Sequence, residues 1–269
     1  MIKLLAIDMD GTLLNSFSKL SKVNLSALYR AKEAGIEIVP TTGRTLSCLP
    51  HTLQEHSDLF RYVITSNGAS LYDTKYKREL FSSSIPRYLV HELVFALKKE
   101  PVFISAHIDH EYWVDGALMR LNGRLLFGKD AFQTKASKDL FEQLLNTNGR
   151  VEEIQLYFLG KKTKARIQTI LQSFPEVYGA FTSNYVEIFS RSSSKGKALD
   201  RLREHLNLDQ SEIACIGDGE NDVLMFEQAG LAICMKNGEE KIQEKADKTT
   251  LSNNQNGVAY AIDQYILTE

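Results

Sequence analysis

The chain has 269 residues, 43% of them apolar and 25% charged, which is enough for one or two domains with a sizeable core. Its 32 basic and 34 acidic residues leave a formal net charge of −2, which excludes the general electrostatic pull that nucleic acid or an anionic membrane exerts on a basic protein. Three cysteines (Cys48, Cys215, Cys234) without CxxC spacing argue against a disulfide framework or a zinc site, and no apolar run approaches a membrane span of roughly 18 to 20 residues, so a cytoplasmic location is expected.

Leu4-Leu5-Ala6-Ile7 reads as a buried strand running into Asp8-Met9-Asp10-Gly11-Thr12. In an open α/β sheet, chemistry sits at such a strand end. Two ionised aspartates this close repel each other, and a hard divalent cation such as Mg²⁺ is the natural partner. Gly11 lets the backbone turn, and Thr12 offers a hydroxyl to fix the loop. Taken alone, the stretch is also compatible with a plain Asp-Gly turn. Ser21 caps a helix that carries Leu25, Leu28 and Ala31 on one face, and Gly35 stands at its end. A strand at 36–39 completes a βαβ unit and ends at Thr41-Thr42-Gly43-Arg44, on the same sheet edge as Asp8 and Asp10. A helix at 45–55, a strand at 62–65 and a hairpin turn at Asn67-Gly68 leading into Leu71-Tyr72 follow.

Around Ser82-Ser83-Ser84-Ile85-Pro86 the texture becomes that of a link. Beyond it the spacing predicts a helix over 86–99 and strands over 102–108 and 112–114 around a turn at Asp109-His110. A helix from about 137, a strand over 154–159, a helix over 163–173 and strands over 177–182 and 186–189 come next, a mixture that suits a small α+β insertion. The run Ser190-Arg191-Ser192-Ser193-Ser194 reads as the return link, or else as an exposed loop within one larger domain. From Lys195 the α/β pattern resumes: a helix over 196–206, then a strand over 213–216 that ends in Gly217-Asp218-Gly219-Glu220-Asn221-Asp222. A helix at 223–228, a strand at 231–234, a helix at 239–245 and a last helix at 258–266 close the pattern.

Three strand ends thus offer Asp8 with Asp10, Thr42 with Gly43, and Asp218 with Asn221 and Asp222, while Lys195 opens the helix that feeds the third. Carboxylates with Mg²⁺, a threonine hydroxyl, backbone amides and an ammonium are what phosphoryl transfer uses. One aspartate can attack phosphorus, and a second can move the protons.

Asp8-Met9-Asp10-Gly11-Thr12, Thr42-Gly43-Arg44, Lys195-Gly196 and Gly217-Asp218-Gly219-Glu220-Asn221-Asp222 resemble the haloacid-dehalogenase-like phosphatases, specifically the Cof-type group. Asn67-Gly68-Ala69, Ala246-Asp247 and Asn256-Gly257-Val258-Ala259 look like further landmarks, so the resemblance covers nearly the whole chain. It implies an α/β fold with a doubly wound, mostly parallel, Rossmann-like sheet over residues 1–83 and 189–269, and an inserted α+β cap over 84–188 that closes on the substrate. It implies Asp8 as nucleophile and Asp10 as general acid and base. Mg²⁺ would be held by Asp8, the Asp10 main-chain oxygen and Asp218, with Asp222 holding a water of the ion. Phosphate would be gripped by Thr42, the amides of Met9, Asp10 and Gly43, Lys195 and Asn221. The implied substrate is a small phosphate ester, a sugar phosphate first, then flavin mononucleotide or pyridoxal phosphate. A phosphotransferase or mutase with the same aspartyl-phosphate is the alternative, and the enzyme is expected to be a monomer or weak homo-oligomer. Met235-Lys236-Asn237-Gly238 departs from the group's pattern, at a place expected to lie apart from the chemistry.

His107, Asp109, His110 and Glu111 read as exposed turn residues, not a second metal site. Tyr112 and Trp113 read as packing, with stacking on a substrate ring left open, and Arg44 meets either a substrate anion or a neighbouring carboxylate. Lys161-Lys162-Thr163-Lys164 reads as a solvated helix start, and Ser193 and Ser194 as linker. A nucleotide-binding module is disfavoured by the absence of GxGxxG and GxxxxGK[ST], and a phosphoacceptor receiver by its need for only about half this length.

Overall fold

The computed structural model describes residues 1–127 and 131–267. It divides into two units, Met1–Gly43 with Pro50–Ser82 and Ser194–Glu269, and Arg44–Leu49 with Ser83–Ser193. In chain order the strands are β1 (Leu4–Asp8), β2 (Glu37–Thr41), β3 (Tyr62–Thr65), β4 (Ser70–Asp73), β5 (Arg78–Ser82), β6 (Val102–Ile108), β7 (Glu111–Asp115) and β8 (Lys135–Ser137). They continue with β9 (Val151–Phe158), β10 (Val177–Phe181), β11 (Tyr185–Ser190), β12 (Ile213–Gly217), β13 (Leu231–Cys234) and β14 (Lys248–Thr249).

The first unit is an α/β fold whose sheet runs β14-β13-β12-β1-β2-β3-β4-β5, parallel from β14 to β3 and antiparallel beyond. All five residues of β1 are buried, as a strand covered on both faces requires, and this is why it reads as a continuous apolar run. The helix Lys22–Glu33 follows Ser21, whose Oγ accepts from the Asn24 N–H at 3.1 Å. The helix Lys195–Leu206 is capped by Ser194, whose Oγ accepts from the Lys197 N–H at 3.0 Å. Its Ala198, Leu199 and Leu202 join a core with Leu4, Ala6, Ile213 and Cys215. Because β2 and β12 flank β1 on opposite sides and run parallel to it, the chain changes direction across β1. The carboxyl ends of three adjacent strands meet at that switch point, where open α/β sheets bind ligands.

The second unit is a sheet in the order β10-β11-β9-β6-β7-β8, antiparallel except where β8 lies parallel to β7. Ile104, Ala106, Ile108, Ile154, Leu156, Val186 and Ile188 form its apolar side, in one cluster with Leu89, Val90, Leu93 and Leu97 of the helix Arg87–Leu97 and with Leu140, Leu144 and Ile167. Alternate positions are polar: Ser105, His107 and Glu153 are buried, and Gln155 is half-buried. Ser83 and Ser192 on the two links are joined through their hydroxyls at 2.7 Å.

Several local expectations are corrected. The single helix at 45–55 is instead a 3₁₀ turn, Leu46–Cys48, and a short helix, His51–Gln54. Pro50 forces Leu49 into an extended conformation at ψ 140°, which interrupts the helix. The helix Gly116–Phe127 has no counterpart among the expected elements; its Leu118, Leu121 and Leu125 are exposed. The helix expected from 163 begins at Gly160, and the one expected over 258–266 is α-helical only over Gly257–Ala261 before widening to π geometry. His107 is buried and not an exposed turn residue, although Asp109 and His110 do make the turn, both with positive φ. Ser194 is a helix cap and not linker. Trp113 packs against the apolar cluster, and the Tyr112 hydroxyl donates to Ser105 at 3.0 Å and to Gln155 at 3.2 Å. Among the described residues no helix is long and apolar enough to cross a membrane.

Candidate active site

The site lies in the first unit and grows from the strand ends. β1 places Asp8 last in a fully buried strand, 6% exposed. The loop behind it is closed by main-chain bonds from Thr12 and Leu14 to the Met9 carbonyl, at 3.3 and 2.8 Å. Gly11 has φ +87°, and a Cβ there would run into the Asp218 carboxylate, so this position requires glycine on both counts. The Thr12 hydroxyl, expected to fix its own loop, instead donates to Asp218 Oδ1 at 2.7 Å and ties the first loop to the third. Asp10 is exposed and stands outside the buried carboxylate group.

Lys195 is 1% exposed, and its Nζ donates to Asp8 Oδ1 at 2.5 Å and to Asp222 Oδ1 at 2.7 Å. Asp222 also accepts, through Oδ2, from the amides of Asp218 (3.0 Å) and Gly219 (2.9 Å). Both of its oxygens are therefore engaged, and it braces Lys195 and the 218–219 turn. Burial pushes the Asp8 carboxyl well above its ordinary range; the charge of Asp222 adds to this, and Lys195 offsets it only in part. Burial also raises Asp218, against the opposing bond from Thr12. Burial would lower the Lys195 ammonium, but Asp222 and then Asp8 hold it above its ordinary value.

Oxygens of Asp8, Asp218 and Asp222 lie within 4.8 Å of one another, three carboxylates against one ammonium. An all-oxygen acidic set with a deficit of positive charge fits Mg²⁺, which takes hard oxygen ligands. With Asp222 engaged as a brace, Asp8 and Asp218 are the side chains suited to hold it.

The second loop joins them. Thr42, 1% exposed, follows β2; its amide donates to the Ile64 carbonyl at 2.9 Å, and its own carbonyl accepts from the Asn67 amide at 3.1 Å. Asn221 is exposed, and its Nδ2 donates to Asn67 Oδ1 at 3.1 Å. The structure therefore gathers Asp8, Lys195, Asp218 and Asp222 into one cluster and links the loops bearing Gly43 and Asn221 through Asn67. Asn237, expected to lie apart from the chemistry, donates through Nδ2 to the Gly11 carbonyl at 2.8 Å and lies 3.4 Å from Asp218 Oδ2. Its position between strand and helix carries no signal of that contact. Arg44 lies in the second unit.

A doubly wound sheet with carboxylates at its switch point and an ammonium buried among them is an arrangement suited to phosphoryl transfer. The haloacid dehalogenase-like hydrolase family matches residues 5–262, and the chain belongs to that family. It is similar to the 5-amino-6-(5-phospho-D-ribitylamino)uracil phosphatase YwtE of Bacillus subtilis, at 29% identity over 98% of each chain. It is equally similar to the phosphatase YwpJ of the same organism, at 29% identity over 96% of this chain and 98% of that one. The structure of a haloacid dehalogenase-like hydrolase from B. subtilis superposes with a TM-score of 0.85 at 26% identity, covering 98% of this chain and all of that one. The chain is accordingly an enzyme, a phosphatase.

Proposed function

We propose that the protein is a Mg²⁺-dependent phosphomonoesterase that releases inorganic phosphate from a small phosphorylated metabolite through an aspartyl-phosphate, an acyl phosphate on Asp8. The observation that carries this reading is the buried Lys195 ammonium shared by Asp8 and Asp222, with Asp218 alongside. Asp8 accepts from Lys195 through Oδ1, and its carboxylate is the nucleophile toward phosphorus. Attack by Asp8 expels the alcohol, and the exposed Asp10 protonates the leaving oxygen. Asp10 then takes a proton from water, which hydrolyses the acyl phosphate and restores Asp8. Lys195, the Thr42 hydroxyl, the amides of Met9, Asp10 and Gly43, and Asn221 hold the phosphoryl oxygens as their charge grows. Mg²⁺, held by Asp8, Asp218 and the Asp10 main-chain oxygen, would supply positive charge to the transferring phosphoryl group.

The second unit is assigned the choice of substrate, as the insertion of residues 84–188 suggests. A sugar phosphate is the first candidate. The likeness to YwtE adds a 5-phospho-D-ribitylamino compound, ahead of flavin mononucleotide and pyridoxal phosphate. A panel of these esters with Mg²⁺, with and without a second sugar, tests the reading. Release of inorganic phosphate supports it. Transfer of phosphate to the added sugar without release points to a phosphotransferase or mutase and contradicts it.

A further inference from the structure

Between β3 and β4, three successive residues take positive φ: Ser66 at 49°, Asn67 at 52° and Gly68 at 90°. All three are buried, with Asn67 3% exposed. A hairpin needs only a two-residue turn to reverse direction, and left-handed conformations are costly for residues with a side chain. Backbone held in such a state persists where surroundings impose it, which is commonly beside a functional site.

The surroundings are the phosphate loops. The Asn67 amide donates to the carbonyl of Thr42 at 3.1 Å. The Asn67 carboxamide lies over Gly43 so closely that a Cβ at 43 would stand 3.2 Å from both its oxygen and its nitrogen. Its Oδ1 accepts from Asn221 Nδ2 at 3.1 Å. One residue further on, a Cβ on Gly68 would overlap the Ser194 carbonyl and stand 2.6 Å from the Lys195 nitrogen. The turn is thus wedged between the loop after β2, the start of the lysine helix and the loop after β12.

We propose that Asn67 is a positioning residue that, by accepting from Asn221 and lying flat on Gly43, holds both in register to grip the phosphoryl group. The proposal rests on the phosphatase reading, in which Gly43 and Asn221 bind phosphate. An exposed asparagine can turn its amide either way; with Nδ2 committed to Asn67 Oδ1, the rotation of Asn221 is set before substrate arrives, and so is its loss of freedom on binding.

The test is the effect of Asn221→Ala on the KM for an ester and on the inhibition constant of inorganic phosphate, measured with Asn, Asp or Gly at position 67. Asn67→Gly deletes the carboxamide at a backbone conformation glycine adopts freely, and Asn67→Asp keeps the shape and the Oδ1 acceptor. Asn67→Gly is expected to raise both constants about tenfold and to lower kcat less than threefold. Neither constant depends on the amount of folded enzyme, so partial unfolding would lower kcat alone and could not mimic this. Asn221→Ala is expected to weaken phosphate binding as much in Asn67→Asp as in the wild-type chain, and by less than half that factor in Asn67→Gly. Equal effects of Asn221→Ala in all three backgrounds would overturn the proposal. Absence of phosphate release by the wild-type enzyme would instead overturn the phosphatase reading beneath it.

Discussion

Lys195 and Asp8 meet as buried partners from stretches of the first unit that lie 187 positions apart in the chain: Nζ stands 2.5 Å from Oδ1, with the lysine side chain fully covered and the aspartate side chain 8% exposed. Helix and strand present them to each other, and Asp222 accepts a second bond from the lysine at 2.7 Å. A buried charge that loses its partner is costly, so the lysine has a structural as well as a chemical role.

Lys195→Met keeps the length of the side chain and removes its charge. In metal-free protein this is expected to cost about 3–5 kcal/mol, because Asp8 and Asp222 then share a buried site without a counterion. Adding Asp8→Asn to that variant is expected to restore part of the loss. Urea unfolding of the single and double variants measures both, and a cost within about 1 kcal/mol of zero for Lys195→Met would argue against the pairing. Activity in Lys195→Met should fall at least about a hundredfold.

Because the folded protein holds the Asp8 carboxyl above its ordinary range, the ionised form is disfavoured relative to the unfolded chain. The stability this group contributes is present below the ordinary carboxyl value of 3.8 and is lost as pH rises through the raised one. Metal-free Asp8→Asn is therefore expected to be no less stable than the wild type at neutral pH. Mg²⁺ should reverse the order: at about 100 times its dissociation constant it adds about 2.7 kcal/mol to whatever binds it. Thermal melts should rise with Mg²⁺ in the wild type and much less in Asp8→Asn or Asp218→Asn. Equal shifts in all three would place the ion elsewhere.

Burial holds His107 at about 4, below its ordinary 6.5, with the charge of Glu152 opposing the shift. The neutral ring is the folded form, so its contribution is present above pH 6.5 and lost as pH falls to about 4. This amounts to about 3 kcal/mol of acid destabilisation from one residue. The protein's one tryptophan, Trp113, lies in the same sheet and reports unfolding of the second unit. His107→Asn is expected to flatten the dependence of its unfolding midpoint between pH 6.5 and 4, and an unchanged slope would remove His107 from the account.

The switch point was legible in the sequence because burial on both faces writes β1 and β12 as unbroken apolar runs that lead into Asp8 and Asp218, while β2, interrupted by Glu37 and Pro40, leads into Thr42. Ser21, Gly35 and the turn at Asp109-His110 were legible for the same local reason, since caps and left-handed turns select few residue types. The long-range ties were not. Thr12 meeting Asp218 and Asn237 meeting Gly11 join residues 206 and 226 positions apart, and no local pattern encodes such partners. Pro50, which splits the helix expected at 45–55, is a local signal of that break.

The most direct test of the central claim follows label from a ³²P-phosphate ester onto the protein, with Mg²⁺ present and the reaction stopped in acid within the first turnover. Label is expected on the peptide containing Asp8, released by mild base as inorganic phosphate, with neither label nor phosphate release in Asp8→Asn. Phosphate release by Asp8→Asn at the wild-type rate would contradict it.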